Sequence, residues 1–367
     1  MTPRHAKNRE KQPHASAAAA PAKRLLPWFD LIQRDLPWRR SRDPWAIWVS
    51  EIMLQQTRVE AVREPYQRFM ASYPNPMAFA NASDDEVMVA WRGLGYYRRA
   101  RLLRDGARQV SERHDGKVPH GLEQLADLPG VGPYTLGAVA SIAFGHCQPA
   151  VDGNVERVIS RHRGLHAPIG TGPARRVIRT VVEDWIAQDR PGDFNQALME
   201  LGAMICTPTS PNCKECPVAA DCVARINELT GQLPIKKAPR KAVEVSARAV
   251  LIERPGNGEH YGQALGYRIP ANEPNAGQIE LPGPGVLSEC DPDDLAPAIM
   301  RRFDASLKVD DTVATIRHAI THHRITLRTH RASLRQIGRL AWFCVGPETP
   351  WTTPSRKVFR QTRKLEA

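Results

Sequence analysis

No apolar run in this chain reaches the roughly 18 residues that a helix needs to cross a bilayer. The first residues also lack the apolar centre of a secretory signal, because their longest such run is four alanines. Aromatic residues make up only 6% of the chain, but 42% of its 367 residues are hydrophobic, enough for two packed domains. These features predict a soluble, cytoplasmic protein that no helix anchors in a membrane.

Acidic residues are outnumbered: 39 Asp and Glu stand against 51 Lys and Arg, a formal net charge of +12. This excess favours a polyanionic partner, either nucleic acid or an acidic membrane surface. Residues 1–24 consist mainly of Ala, Pro, Lys and Arg, with little that could pack in a core. We therefore predict that they form a disordered basic tail.

Strand-like alternation is missing from the first part of the chain. Residues 25–230 have the apolar spacing of helices, and Ser83 and Glu86 are spaced as a capping box. Residues 231–243 are rich in Pro and Lys, which predicts a linker. Residues 244–367 alternate with period two in places, which predicts a smaller mixed domain containing strands.

The seven cysteines are odd in number and unevenly placed, which does not suit a disulfide framework. Four of them follow the spacing C-x6-C-x2-C-x5-C, at Cys206, Cys213, Cys216 and Cys222. Four thiolates in one compact loop favour a cubane iron–sulfur cluster, here [4Fe-4S]. Zinc is the alternative, although zinc ribbons use two separated C-x2-C pairs. Lys214 lies inside this loop and could face a phosphate or only solvent.

The stretch LPGVGPYT, residues 128–135, predicts a tight turn leading into a helix. Gly130 and Gly132 flank Val131, and free amides at the start of the helix can hold a DNA phosphate. A G-x-G alone is also common at ordinary corners between helices. Tyr134 follows the turn and carries a phenol where an amine could attack a sugar carbon.

Two carboxylates lie in unusual surroundings. Glu51 falls among Trp48, Ile52 and Met53, so it lies either on the exposed side of its helix or half-buried with a raised pKa. Asp152, in VDGNV, could simply cap the helix that follows, which is the commoner role for such a residue. From the residues alone it stays open whether Glu51 is buried or exposed. It also stays open whether Asp152 only caps its helix or has a functional role.

Five stretches together resemble the adenine DNA glycosylase family, in the iron–sulfur branch of the helix-hairpin-helix DNA glycosylases. They are PWRRSRDPWAIWVSEIMLQQTRVEAV, WRGLGYYRRARLL, LPGVGPYTLGAVAS, AVDGNVERVISR and FNQALMELGAMICTPTSPNCKECPVAADC. The resemblance covers about residues 25–235. It implies an all-α two-lobed helix-hairpin-helix domain with a [4Fe-4S] loop at residues 206–222, followed by a smaller α+β Nudix-like domain. The implied partner is duplex DNA with adenine opposite 8-oxoguanine or guanine, bound by a monomer at the bacterial nucleoid.

The resemblance also implies roles at the site. Cleaving a glycosidic bond requires a protonated leaving base and negative charge near the sugar. Glu51 would protonate adenine, Asp152 would stabilise the oxocarbenium ion, and Asn154 would orient Asp152 or the water. Tyr134 stands where the endonuclease III branch has a lysine that cleaves the strand. We therefore expect a monofunctional enzyme that leaves an abasic site.

The implied DNA contacts are spread along the chain. Arg39 and Gln196 would contact the flipped adenine, whereas Gln55 and Tyr96 would enter the base stack and hold the opposite strand. Gln56 would be a further DNA contact.

In the smaller domain, Thr321 and His322 would take the positions of a Ser-His pair in the family's 8-oxoguanine-reading domain. For His322 and His323, exposed polar positions on a basic strand are an equally good interpretation. GQIELPGPG lacks the tryptophan that the family has there, and no Nudix catalytic box is visible, so we expect no nucleotide hydrolysis.

Two other functions are compatible with parts of this pattern. A bifunctional pyrimidine glycosylase and lyase of the endonuclease III type is disfavoured by Tyr134 and by the additional domain. A non-catalytic DNA-binding module is disfavoured because both Glu51 and Asp152 are present.

Overall fold

The computed structural model describes residues 20–237, 241–254, 262–270, 272–273 and 275–365. The chain forms two compact units. The first contains the described residues up to Ala80 together with Asp105–Lys237. The second contains Asn81–Arg104 and the described residues after position 240. Residues 81–104, which the sequence placed in the first domain, therefore pack with the second unit.

The described residues contain fourteen α-helices, and most of them precede the strands. They are α1 Ala20–Ile32, α2 Pro44–Leu54, α3 Val59–Ser72, α4 Pro76–Ala80, α5 Asp84–Ala90, α6 Arg98–Arg113, α7 Leu122–Ala126, α8 Pro133–Phe144, α9 Gly153–Arg163, α10 Gly172–Trp185, α11 Pro191–Met204, α12 Val223–Ile226, α13 Leu295–Phe303 and α14 Thr353–Leu365. None of these helices has the length and apolar character needed to cross a membrane.

Local signals in the sequence explain where the helices of the site begin. Asp43 caps α2 by accepting hydrogen bonds from the amides of Trp45 and Ala46, and Pro44 occupies the first helical position. In α8, Pro133 again takes the first position, and Gly145 ends the helix at φ +74°. The predicted capping box at the start of α5 is present, with both of its hydrogen bonds formed.

Two apolar clusters stabilise the first unit. One joins α1, α9, α10 and α11, and the other contains the aromatic rings of α2, α3 and α4, where Trp45 contacts Trp48, Phe69 and Phe79. Ala22 and Leu25 of α1 are buried in the first cluster.

Two of the predicted boundaries are corrected by this packing. Residues 20–24, predicted as part of the disordered tail, are helical because they pack in that core, while residues 1–19 lie outside the described part. The predicted linker begins too early: Leu233 is buried, and the carbonyl of Ile235 accepts a hydrogen bond from the amide of Ile169.

The second unit contains the seven strands found in the described residues. They are β1 Val243–Leu251, β2 Glu253–Arg254, β3 Gln263–Arg268, β4 Ile279–Glu280, β5 Ser306–Ile320, β6 His323–Gln336 and β7 Ala341–Cys344. One sheet has the order β1-β6-β5, in which β1 is parallel and β5 antiparallel to β6. The other has the order β2-β3-β4, with β7 also paired to β3. The prediction of a helical domain followed by a region with strands is confirmed.

Candidate active site

Helices α7 and α8 form the predicted helical hairpin. Gly130 lies between them at φ +80°, a backbone conformation that glycine adopts without strain. The amide of Val131 donates to the carbonyl of Leu128, which closes the turn. A Cβ atom added to Gly132 would meet nothing within 4 Å, so the backbone at the start of α8 is open to a ligand. The hairpin also places Tyr134 in the first turn of α8.

Glu51 is buried in α2, with only 6% of its surface exposed. Of the two interpretations of this residue, the structure thus shows the buried one. The pKa of Glu51 is raised to about 7, mainly by burial. The Tyr134 hydroxyl, which donates a hydrogen bond to the carboxyl, lowers this pKa, whereas the charge of Asp152 raises it. Close to half of the Glu51 side chains are therefore protonated near pH 7.

Asp152 is both a helix cap and a wall of the pocket. It accepts hydrogen bonds from the Val155 amide at 2.7 Å and from the Asn154 side chain at 2.9 Å, so it begins α9. Burial raises the pKa of Asp152, and these hydrogen bonds act in the opposite direction. Asp152 therefore caps α9 and lines the pocket at the same time.

Arg157, which was not among the predicted residues, connects this carboxylate to the cysteine loop. Its guanidinium donates to the Asn154 side chain, to the carbonyl of Gly202 and to the carbonyl of Cys206, each at 2.7 Å. Asn154 in turn donates to Asp152. The spacing of Asn154 and Arg157, three residues apart on one helix, is the signal that could have indicated their contact.

A second buried carboxylate, Glu200, holds two arginines on another wall. It accepts from Arg34 at 2.7 and 2.8 Å and from Arg39 at 2.9 Å. Burial opposes ionisation of Glu200, but the hydrogen bonds from these two arginines bring its pKa to about 2. Neither Arg34 nor Glu200 was predicted. The position of Glu200 within an apolar helix, which resembles that of Glu51, was the available signal.

These side chains line one pocket of about 760 Å³ in the first unit. Of the predicted residues, the pocket brings together Arg39, Glu51, Gln55, Gln56, Tyr134, Asp152, Asn154 and Gln196. Gln55 donates to the Thr135 hydroxyl at 3.3 Å, and Gln56 has a positive φ of +57°.

Other predicted contacts lie elsewhere. Lys214 is exposed in the cysteine loop, and Tyr96 belongs to the second unit, where 52% of its surface is exposed. Thr321 and His322 form the two-residue tip between β5 and β6, since Ile320 pairs with His323. Thr321 is exposed there at φ +54°.

The four clustered cysteines all line one further pocket, next to α9 and α11, and none of them forms a disulfide. Arg161 stabilises their loop by donating to the Cys206 sulfur at 3.4 Å and to the carbonyls of Thr207 and Pro208. Within the described residues, no three His, Cys, Asp or Glu side chains are placed to hold a single metal ion. Four thiols around one cavity form a donor set of the kind that holds an iron–sulfur cluster or zinc.

Comparison with known proteins assigns the chain to a class of DNA repair proteins. Residues 49–184 match the model of the HhH-GPD superfamily of base excision DNA repair proteins. The adenine DNA glycosylase of Homo sapiens is 47% identical over 210 residues, which are 55% of this chain and 38% of the human protein. That of Buchnera aphidicola subsp. Acyrthosiphon pisum is 30% identical, over 64% of this chain and 67% of its own length. The chain belongs to the adenine DNA glycosylase family.

The chain spans about two fifths of the human relative that it matches. Among solved structures, that of a thermostable thymine-DNA glycosylase aligns with a TM-score of 0.52 and 30% identity. The alignment covers 57% of this chain and 97% of that one. Relatives of this fold thus bear names that refer to different bases, so the fold alone does not identify the base that is released.

Proposed function

We propose that this chain hydrolyses the N-glycosidic bond of adenine mispaired with 8-oxoguanine or guanine in duplex DNA and leaves an abasic site. The observation that carries the proposal is the pairing of Glu51, whose pKa is about 7, with Asp152 in one pocket. Two carboxyl groups with different environments are what glycosidic cleavage requires.

Glu51 acts as the general acid. Adenine leaves poorly as an anion and well once its N7 carries a proton. The Tyr134 hydroxyl donates to one carboxyl oxygen of Glu51, so the proton resides on the other oxygen, which can deliver it to the base. Burial keeps enough of the acid form present at neutral pH to do this.

Asp152 stabilises the positive charge that develops on the sugar. Its carboxylate is held by Val155 and Asn154, and Arg157 holds Asn154, so the charge is oriented before the substrate binds. Asn154 is also placed to position the attacking water.

The adenine must leave the base stack to reach Glu51, since chemistry on a stacked base is sterically blocked. Arg39, held by Glu200, and Gln196 bind the extrahelical base. Gln55 and Gln56, at the end of α2, enter the space that the base vacates.

The enzyme is monofunctional because no amine occupies the position of Tyr134. A phenol that donates to Glu51 cannot form a Schiff base with the sugar, so strand cleavage does not follow base removal.

Two further parts complete the proposal. Cys206, Cys213, Cys216 and Cys222 hold a [4Fe-4S] cluster, which keeps their loop ordered so that Lys214 faces the DNA backbone with the amides of residues 130–132. In the second unit, the hairpin tip with Thr321 and His322 contacts the 8-oxoguanine.

The experiment is a gel assay on an end-labelled duplex with one adenine opposite 8-oxoguanine. We expect product strands only after alkali, and little reaction on a matched duplex with adenine opposite thymine. Alkali-independent cleavage would indicate the lyase, and binding without any product would indicate a non-catalytic module. Release of thymine from a thymine:guanine duplex in place of adenine would show that the base has been assigned wrongly.

A further inference from the structure

Three arginines from distant stretches of sequence come together within the second unit. Arg92 belongs to the segment Asn81–Arg104, and Arg356 and Arg360 lie one turn apart on α14. Arg356 is half-buried and donates to the backbone carbonyls of Trp351, at 3.2 Å, and of Thr349. Burial lowers the pKa of Arg356, and the charges of Arg92 and Arg360 lower it further. Arg356 is therefore repelled by both of the other cations.

No ion pair in the described residues provides these three arginines with a carboxylate partner. The Nη2 atom of Arg92 is buried, and none of the residues that the structure describes offers it a hydrogen-bond acceptor. A buried cationic donor without an acceptor is costly, and adding like charges nearby increases the cost. The hydroxyl of Tyr97, which interacts with Gln278, carries no charge at neutral pH and does not balance them. The group is complete only when an anion joins it.

A pocket of about 390 Å³ adjoins two of these arginines, Arg356 and Arg360. Arg356 and Arg360 form its charged wall, and Trp351 and Phe359 form an apolar one. Gly346 and Pro347, between β7 and α14, close a third side. A sugar phosphate has this combination of an apolar face and a charged group.

We infer that Arg92, Arg356 and Arg360 form a binding site for a phosphate group, with the adjoining pocket taking the attached sugar. The phosphate can come from the backbone of duplex DNA or from a free nucleotide. The DNA source rests on the proposed function, whereas the site itself does not.

The test compares Arg360→Gln with Arg301→Gln, a matched control that removes one exposed charge from α13 of the same unit. Affinity for a short duplex is measured over a range of salt concentrations, and binding of dATP is measured by calorimetry. With a backbone phosphate, Arg360→Gln should weaken duplex binding several-fold and reduce the slope of log K against log salt by about 1, more than the control does.

Arg92→Gln and the double variant with Arg360→Gln show whether both side chains bind one phosphate. If they do, the loss in the double variant should be smaller than the product of the single losses. Equal thermal midpoints establish that the variants are folded. If dATP binds and Arg360→Gln abolishes this binding, the source is a free nucleotide.

Binding of both probes that is the same in Arg360→Gln, Arg92→Gln and the control would overturn the inference. If the wild type releases adenine but these variants bind both probes normally, only this inference is refuted. If the variants show the predicted salt dependence but the wild type releases no adenine, the proposed function is refuted and the phosphate site is not.

Discussion

Replacing Glu51 with glutamine should slow catalysis by orders of magnitude and, above pH 7, make the protein more stable. Raising the pKa of this carboxyl from 4.5 to about 7 corresponds to about 3 kcal/mol, at roughly 1.4 kcal/mol for each pH unit. Below pH 4.5 the carboxyl is protonated in both states, and the two proteins should differ little. Between pH 4.5 and 7 only the unfolded state ionises, so the wild type progressively loses stability. Above pH 7 the difference should remain constant.

The assay is urea unfolding of the wild type and Glu51→Gln, followed by circular dichroism at five pH values between 4.5 and 9. Glu200→Gln is a control of opposite sign, because the pKa of Glu200 is held at about 2 by Arg34 and Arg39. Its stabilising contribution is present above pH 4.5 and is lost as the pH falls through 2, so this variant should be destabilised by about 3 kcal/mol near neutral pH.

Adenine release by Glu51→Gln should fall by about 10² to 10⁴-fold. The wild-type rate in single turnovers should decline as the pH rises through 7, because the acid form is lost. A stability difference that is the same at pH 5 and pH 8 would refute the reasoning, since it would mean that Glu51 does not titrate near pH 7. A fully active Glu51→Gln variant would also refute it.

Three other changes test the rest of the site. Asp152→Asn removes the charge that faces the sugar and should slow adenine release by about 10² to 10³-fold with duplex binding retained; a near wild-type rate in single turnovers would contradict this role. Cys213→Ser should lose iron, visible absorbance and DNA affinity together, and an iron-free wild type that contains zinc would refute the cluster. The wild type should form no borohydride-trapped adduct with DNA, whereas Tyr134→Lys places an amine beside the sugar and should form one. Efficient trapping by the wild type would show that another amine of the protein attacks the sugar.

The sequence was sufficient for features that depend on local patterns. Hydrogen bonds between residues at most four positions apart form three of these features. They are the turn within residues 128–135, the cap at Asp152 and the capping box of Ser83. The cysteine spacing and the anomaly of Glu51 in an apolar helix also needed no knowledge of the fold. For Glu51 the pattern could not decide between burial and exposure, because a helix has both sides.

The sequence was insufficient where side chains meet across the fold. Arg34 and Glu200 are 166 residues apart, and Arg157 reaches the carbonyl of Cys206 from 49 residues away. Such contacts depend on how the helices pack together, and the spacing of apolar residues along the sequence does not predict that packing. Ala22 was missed for a similar reason: the end of a basic segment is helical there because α9, α10 and α11 cover it.

The grouping of Asn81–Arg104 with the second unit means that the chain passes between the units three times, at residues 80–81, 104–105 and 237–238. Arg268 and Asp85, joined by hydrogen bonds of 2.6 and 3.0 Å, hold this inserted segment against the strands. A protease that cuts only between residues 237 and 241 would therefore not release two independent domains. The larger fragment would still contribute one segment to the smaller fragment's fold, so the two should co-elute under native conditions and separate only in denaturant.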